Sequence, residues 1–389
     1  MSEGAGRHGS RVVWTAFVVA VFGWGVGFYG PAVYLQVLHQ SRGWSLSILS
    51  AAITAHYLVG AVLIVGLPDA YRRFGIGHVT VVGTLCGAAG AIAWGCAQQP
   101  WQLVPALLLS GAGWAAMSGA ALNAMVAPWF ERDRPKALSM AFNGASVGGV
   151  VFVPLWMALA SGFGLAHAAF LVGVAMVAIV CPLACLVLRR QPAGAVSKAR
   201  PLSRLALLRQ PRFLTISLAF ALGLFAQIGL FAHLIARLEP VLGPGLAAGS
   251  TSLITVCAIV GRTLLGKFLG EHDRRLVAAG SLLAQTAGSL LLALGEDSVI
   301  LTAGCILFGS GVGNLVSLPP LIAQREFRLV DVGTVVALVT ALNQAVFAFA
   351  PAIFGGLRDL TGSYVVSFLV AAAIQALAAV IVAWGRRFS

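Results

Sequence analysis

The feature that most constrains this chain is the recurrence of apolar stretches, each about 20 residues long, with short polar loops between them from end to end. A backbone entering lipid must pair every amide and carbonyl internally, so stretches of that length read as membrane-spanning helices. They fall at 12–38, 46–67, 79–97, 101–126, 137–160, 165–188, 213–236, 247–269, 276–294, 299–323, 332–357 and 365–384. The expected fold is therefore an all-α membrane protein of twelve transmembrane helices. The first stretch follows Arg7 and Arg11 and is too long for a cleaved signal, so it reads as the first span. Only 10% of the residues are charged, against about 25% in a soluble domain. A net charge of +13 would suit nucleic acid only if the basic residues shared a water-exposed face. Here they lie in short runs between spans, which points to topology, with membrane lipid and no nucleic acid as partner.

Short cytoplasmic loops hold the excess of Lys and Arg. Of the 25 such residues, Arg42, Arg237 and Arg358 fall in odd-numbered loops and Arg262 inside a span; the others lie in the termini and even-numbered loops or, for Lys267, at the span end bordering one. This predicts a multi-pass protein of the cell inner (plasma) membrane with both termini cytoplasmic. All 12 acidic residues fall in loops, at helix ends or in the N-terminal tail. The stretch 189–212 combines Pro, Gly and Ser with seven basic residues and reads as a flexible linker. It separates an N-terminal six-helix bundle, 1–188, from a C-terminal one, 213–389. Positions about 200 apart repeat: Ser110, Gly111 and Gly113 against Ser310, Gly311 and Gly313, and Ala137, Leu138, Ala141, Asn143 and Ala145 against Ala337, Leu338, Ala341, Asn343 and Ala345. A shared offset implies duplication and two pseudo-symmetric halves.

The six cysteines lie in apolar stretches without metal-site spacing, so no metal and no cofactor are expected; Cys181 and Cys185, spaced i,i+4, are the single pair that could act as soft ligands. Gly309-Ser-Gly311-Val-Gly313 would cradle phosphate only between a strand and a soluble helix, and inside a span it reads as a packing or flexing point. With no Walker sequence, no nucleophile elbow and no carboxylate pair within the spans, the chain is not expected to be an enzyme.

Arg262 stands about eight residues, or roughly 12 Å, from the cytoplasmic end of its span, which puts it close to the midplane. An Arg there costs on the order of 3 kcal/mol and usually faces a wet path for a substrate. The polar residues that could share such a cavity are Tyr29, His56, Tyr57, Asn123, Asn143, Gln227, His233, Asn314, Asn343 and Gln344. Each is as well suited to an interhelical hydrogen bond as to a ligand contact. His56 lies on the helix that the repeat pairs with the Arg262 helix.

After the second span the chain reads Gly66-Leu-Pro-Asp69-Ala-Tyr-Arg72-Arg73-Phe-Gly75, and after the eighth Gly261-Arg262 through Gly266-Lys267 to Asp273-Arg274-Arg275. These resemble the two copies of the signature loop of the major facilitator superfamily, in which an Asp beside an Arg forms a cytoplasmic gate or latch. The resemblance assigns that role to Asp69, Arg72, Arg73, Asp273 and Arg274. The first copy departs from the pattern, since the usual Asp position holds Arg72 and Asp69 lies one turn earlier. Ala127-Pro-Trp-Phe-Glu131-Arg132 and Asn143-Gly144-Ala-Ser-Val-Gly148-Gly149 are similar to the fourth loop and fifth span of the monocarboxylate porters and oxalate/formate-type antiporters. In that group an Arg in the same Arg-x-x-x-Gly context of the eighth span binds substrate carboxylate, which is what the resemblance implies for Arg262. The group's acidic neighbour one turn earlier is replaced by Ala258. The oxalate-type relatives also carry a Lys where this chain has Asn343.

The expected function is secondary active transport by alternating access of a small organic anion, a monocarboxylate, by a monomer with no cofactor. Without Asp or Glu in the spans, coupling is expected through a counter-anion, or through a proton that travels with the substrate or on His56 or His233. Two rival readings are an efflux carrier for amphipathic drugs or a metalloid, and a membrane sensor with a transporter fold.

Overall fold

The computed structural model describes residues 3–190 and 202–388. Eleven helical segments are long and apolar enough to cross a membrane: Arg7–Arg42, Leu46–Phe74, Ile76–Cys96, Pro100–Trp129, Arg134–Val187, Pro211–Gly243, Gly245–Phe268, Arg274–Leu294, Ser298–Glu326, Leu329–Thr361 and Tyr364–Phe388. Arg134–Val187 has 54 residues, about 80 Å of helix at 1.5 Å per residue, against a hydrocarbon core of about 30 Å. It is two spans, parted at Gly164, whose φ of 76° only glycine adopts without strain. Among the described residues the total is twelve. Gly243, with φ 75°, parts the seventh span from the eighth in the same way.

Helix starts are set by side-chain caps: Ser45 accepts from the Ile48 amide, Asp297 from Val299 and Ile300, and Ser363 from Val365. Large apolar residues on the outer faces, such as Val62, Leu186, Val256 and Val380, are exposed, as suits a surface bathed in lipid rather than water. Inside, small residues let helices touch. A Cβ on Gly148 of the fifth span would lie 2.5 Å from the Val21 carbonyl of the first, and one on Gly111 of the fourth 2.7 Å from the His56 carbonyl of the second. In the second half a Cβ on Gly309 of the tenth span would meet the Ile254 carbonyl of the eighth at 2.9 Å, so the same pair of spans closes in each half.

The chain forms two compact units, Met1–Ala199 and Arg200–Ser389. Residues 191–201 of the expected linker lie outside the described residues. Its remainder is not extended chain: Ser203 caps a short helix, Arg204–Leu208, and the seventh span begins at Pro211.

Among the described residues, four spans are not regular α-helix throughout. The first holds a six-residue π-turn, Gly23–Phe28. The fourth breaks at Ser118, whose ψ of 174° is extended. The tenth is interrupted at Gly313, between helices Ser298–Val312 and Asn314–Glu326. The eleventh breaks between Phe347 and Ala350, just before Pro351, which has no amide to continue the ladder.

Candidate functional site

Arg262 lies in the helix Gly245–Phe268, which ends seven residues later at the C-cap Leu269. It therefore lies in the last third of that helix. Only 2% of it is exposed. Its Nε donates to the Gly313 carbonyl over 2.9 Å, at the interruption of the tenth span. Gly313 is needed there, since a Cβ would stand 2.6 Å from the Ala258 carbonyl and 2.9 Å from Arg262 Nη2. The next residue, Asn314, is buried; its Nδ2 donates to Ser281 Oγ at 3.1 Å and, weakly, to the Ser310 carbonyl at 3.4 Å. Among the described residues its Oδ1 has no hydrogen-bond partner. Asn343 and Gln344 are also buried in the eleventh span, and Asn343 Oδ1 likewise lacks a donor.

Three other amides of this unit, Gln227, Gln285 and Gln375, bond to one another. Gln285 Nε2 donates to Gln227 Oε1 at 3.1 Å, Gln375 Nε2 to Gln285 Oε1 at 3.3 Å, and Ser289 Oγ to Gln375 Oε1 at 2.7 Å. This chain ties the seventh, ninth and twelfth spans together, and it occupies Gln227. His233 is away from it: its Nε2 donates to the Pro351 carbonyl at 3.1 Å and its ring lies 5.9 Å from that of Tyr364.

In the first unit the π-turn is the organising element. A π-turn leaves carbonyls out of the i→i−4 ladder, and side chains take them up. Trp156 Nε1 donates to Gly25 O at 3.1 Å, Tyr34 OH to Val26 O at 3.5 Å, His56 Nε2 to Gly27 O at 3.0 Å and Tyr57 OH to Phe28 O at 2.9 Å. Since Nε2 of His56 must carry a proton to meet a carbonyl, Nδ1 of the neutral ring accepts from Ser110 Oγ, 2.8 Å away, which in turn accepts from Trp94 Nε1 at 3.1 Å. His56 is wholly buried, and the cavity beside it, about 10 Å³ between Gly27, Tyr34, Ser110 and Met117, has room for about one water. Asn123 and Asn143 are buried in the fourth and fifth spans, and the ring of half-buried Tyr29 covers Gly149, where a Cβ would lie 2.6 Å from Tyr29 Cζ. The structure thus places Arg262, Asn314, Asn343 and Gln344 in one unit and Tyr29, His56, Tyr57, Asn123 and Asn143 in the other.

At the signature loops, Asp69 pairs with Arg72 on an exposed surface, and the Arg73 guanidinium lies 5.1 Å above the Phe74 ring. In the second loop Asp273 caps the ninth span, accepting from the amides of Arg275 and Leu276, and pairs with Arg386 at 2.6 Å. Its burial pushes the carboxyl up, but the Leu276 amide and Arg386 outweigh this and hold it below the usual range. Arg274 donates to the Leu321 carbonyl. The buried ion pair is made instead by Arg275, 1% exposed, which meets both oxygens of Glu326 at 2.6 and 2.8 Å and also reaches Thr215 and the Arg212 carbonyl.

A family model described as Major Facilitator Superfamily matches residues 13–351. The chain belongs to the Major Facilitator Superfamily. Among its relatives, monocarboxylate transporter 13 of Bos taurus is 30% identical over 68% of this chain and 63% of that protein. Human monocarboxylate transporter 11 is 27% identical over 90% of this chain and 76% of that one. The chain thus spans a little under two thirds of the length of the first of these relatives. Solved superfamily structures share the fold: the E. coli fucose:proton symporter at TM-score 0.74 and 19% identity, covering 97% of this chain and 99% of that one, and the human organic anion transporter MFSD10 at 0.70 and 15%, covering 96% and 99%. The chain is accordingly a multi-pass membrane member of that superfamily.

Residues that sequence reasoning passed over include Ser110, Trp94, Gln285, Gln375 and the Arg275–Glu326 pair. The amides were visible as polar residues inside superfamily spans, but nothing in their spacing says that they meet. Glu326 is 51 positions from Arg275, so only the fold could join them.

Proposed function

We propose that this protein is a transporter that carries a small organic anion, a monocarboxylate, by alternating access, with Arg262 as the residue that holds the carboxylate. The observation that carries this reading is Arg262 itself: a permanent cation buried in a membrane helix, with its guanidinium tethered by Nε to the interrupted tenth span. No Asp or Glu lies in the interior of the spans. A planar guanidinium is the side chain whose geometry suits bidentate contact with a carboxylate. Support also comes from relatives that are named monocarboxylate transporters.

Charge matching narrows the anion. Asn343 is neutral and can hydrogen-bond an oxygen but cannot balance a second negative charge, so monoanions are carried in preference to dianions such as oxalate. Coupling is exchange against a second anion, or symport in which the proton moves with the substrate; the chain acts as a monomer in the inner membrane with both termini cytoplasmic. Counterflow in proteoliposomes tests the reading. Arg262→Gln is expected to lose anion transport while remaining monodisperse in detergent, and Asn343→Lys to move preference towards dianions. Normal transport by Arg262→Gln, or oxalate carried better than any monocarboxylate by the wild type, would sink it.

A further inference from the structure

In the first unit the ends of the second, third and sixth spans meet around a groove. Gly75 alone parts the helix Leu46–Phe74 from Ile76–Cys96, and its φ of 79° permits so short a turn. The third span then lies against the end of the sixth: a Cβ on Gly77 would stand 3.1 Å from the Ala184 carbonyl and 3.4 Å from the Arg189 amide nitrogen. The groove there has a volume of about 450 Å³ and is lined by Phe74, Ile76, His78, Leu188 and Arg189 together with the two glycines. The lining holds no Asp or Glu. Arg72, Arg73 and Arg190 are exposed at neighbouring positions, and Asp69, the acid of this loop, is already paired with Arg72. Among the described residues no hydrogen bond or ion pair engages Arg189 or His78.

A concave surface with cations and no carboxylate attracts anions. The surroundings narrow the class of anion. Phe74, Ile76 and Leu188 make part of the lining apolar, and Phe74 is exposed. Beyond the groove the same helices turn apolar side chains outward, Val82 and Leu85 on the third span and Ile179 and Leu186 on the sixth. A molecule that sets its charge in the groove can therefore lay hydrocarbon along these two spans. We propose that the groove binds the phosphate headgroup of an anionic phospholipid at the membrane surface, with Arg189 and His78 as the donors. The guanidinium can meet two phosphate oxygens at once, and the imidazole adds one N–H. A zwitterionic lipid brings a cation of its own into a groove that has no carboxylate to receive it, so the preference is for net negative charge. The site is separate from Arg262 and does not depend on the carboxylate role proposed for it.

Native mass spectrometry of the full-length protein in detergent, with phosphatidylglycerol and phosphatidylcholine of identical acyl chains, reads the preference directly. The wild type is expected to retain phosphatidylglycerol about tenfold more tightly than phosphatidylcholine. The double variant Arg189→Gln, His78→Gln should lose most of that difference and Arg189→Lys should keep part of it. Arg387→Gln, which removes a cation from the other unit, should keep all of it. Both groove side chains are exposed, so the double variant should melt in lipid-free detergent as the wild type does; if it melts lower, the contrast between Arg189→Lys and Arg189→Gln decides. Equal retention of the two lipids by the wild type overturns the proposal, as does an undiminished preference in the double variant. A preference lost in Arg387→Gln would make it an effect of net charge and equally overturn it. Displacement of phosphatidylglycerol by inorganic phosphate would make the groove a site for a soluble anion instead.

Discussion

At Gly313 the missing side chain sets where a cation can lie. A methyl group would come within 2.6 Å of the Ala258 carbonyl and 2.9 Å of Arg262 Nη2, so either the eighth span or the guanidinium has to move. Gly313→Ala is expected to cost about 1–3 kcal/mol through overpacking, visible as a lower thermal midpoint in detergent. It should also raise the KM for anion several-fold with the maximal rate less affected; an unchanged KM would mean that the guanidinium position is unimportant. Arg262 was legible in the sequence because a permanent charge inside an apolar stretch has few bland explanations. Its hold on Gly313, 51 positions away, was not, because glycine carries no chemical signal of what it lies against.

Among the elements, the π-turn of the first span depends on side chains from elsewhere. Trp156, Tyr34, His56 and Tyr57 each supply a donor to one of four successive carbonyls. Removing a donor leaves a buried carbonyl open, so Trp156→Phe, His56→Leu and Tyr57→Phe should each lower stability by about 1–3 kcal/mol. Paired variants should be non-additive, because the donors serve one turn; strictly additive losses in thermal unfolding would show that the carbonyls are satisfied independently. The ninth span carries a pH-dependent element in its cap. Asp273 is held below the ordinary carboxylate range in the folded protein by the Leu276 amide and Arg386, against the opposing effect of burial. Its contribution is therefore full above the unfolded Asp value, about 4, and is lost as pH falls through the lower folded value. The thermal midpoint should drop over that acid range, and Asp273→Asn should flatten the drop while lowering stability near pH 7. An identical acid profile in Asp273→Asn would show that other carboxylates govern it. The glycines that part the fifth span from the sixth and the seventh from the eighth could be seen as glycines, yet only the backbone shows φ near +75°.

For the molecule as a whole, the distribution of Lys and Arg makes a topological prediction that does not depend on any side-chain contact. Single cysteines introduced near Ala199 should react only from the cytoplasmic side and those near Glu296 only from the opposite side. Labelling of both from one side would rule out the twelve-span order.

Twelve spans, span interiors free of acids and one arginine placed within a span were determined by the sequence alone, because lipid imposes its terms on every stretch of chain locally: about 20 apolar residues cross or they do not. The tertiary structure decided what the polar minority does. Hydrogen bonds reach only about 3 Å, so their partners depend on which helices lie side by side and in what register. That is why His56 is tied to Gly27 and Ser110 and Arg275, rather than Arg274, takes the buried acid. It is also why Asn314 donates to Ser281 while Arg262 donates to Gly313.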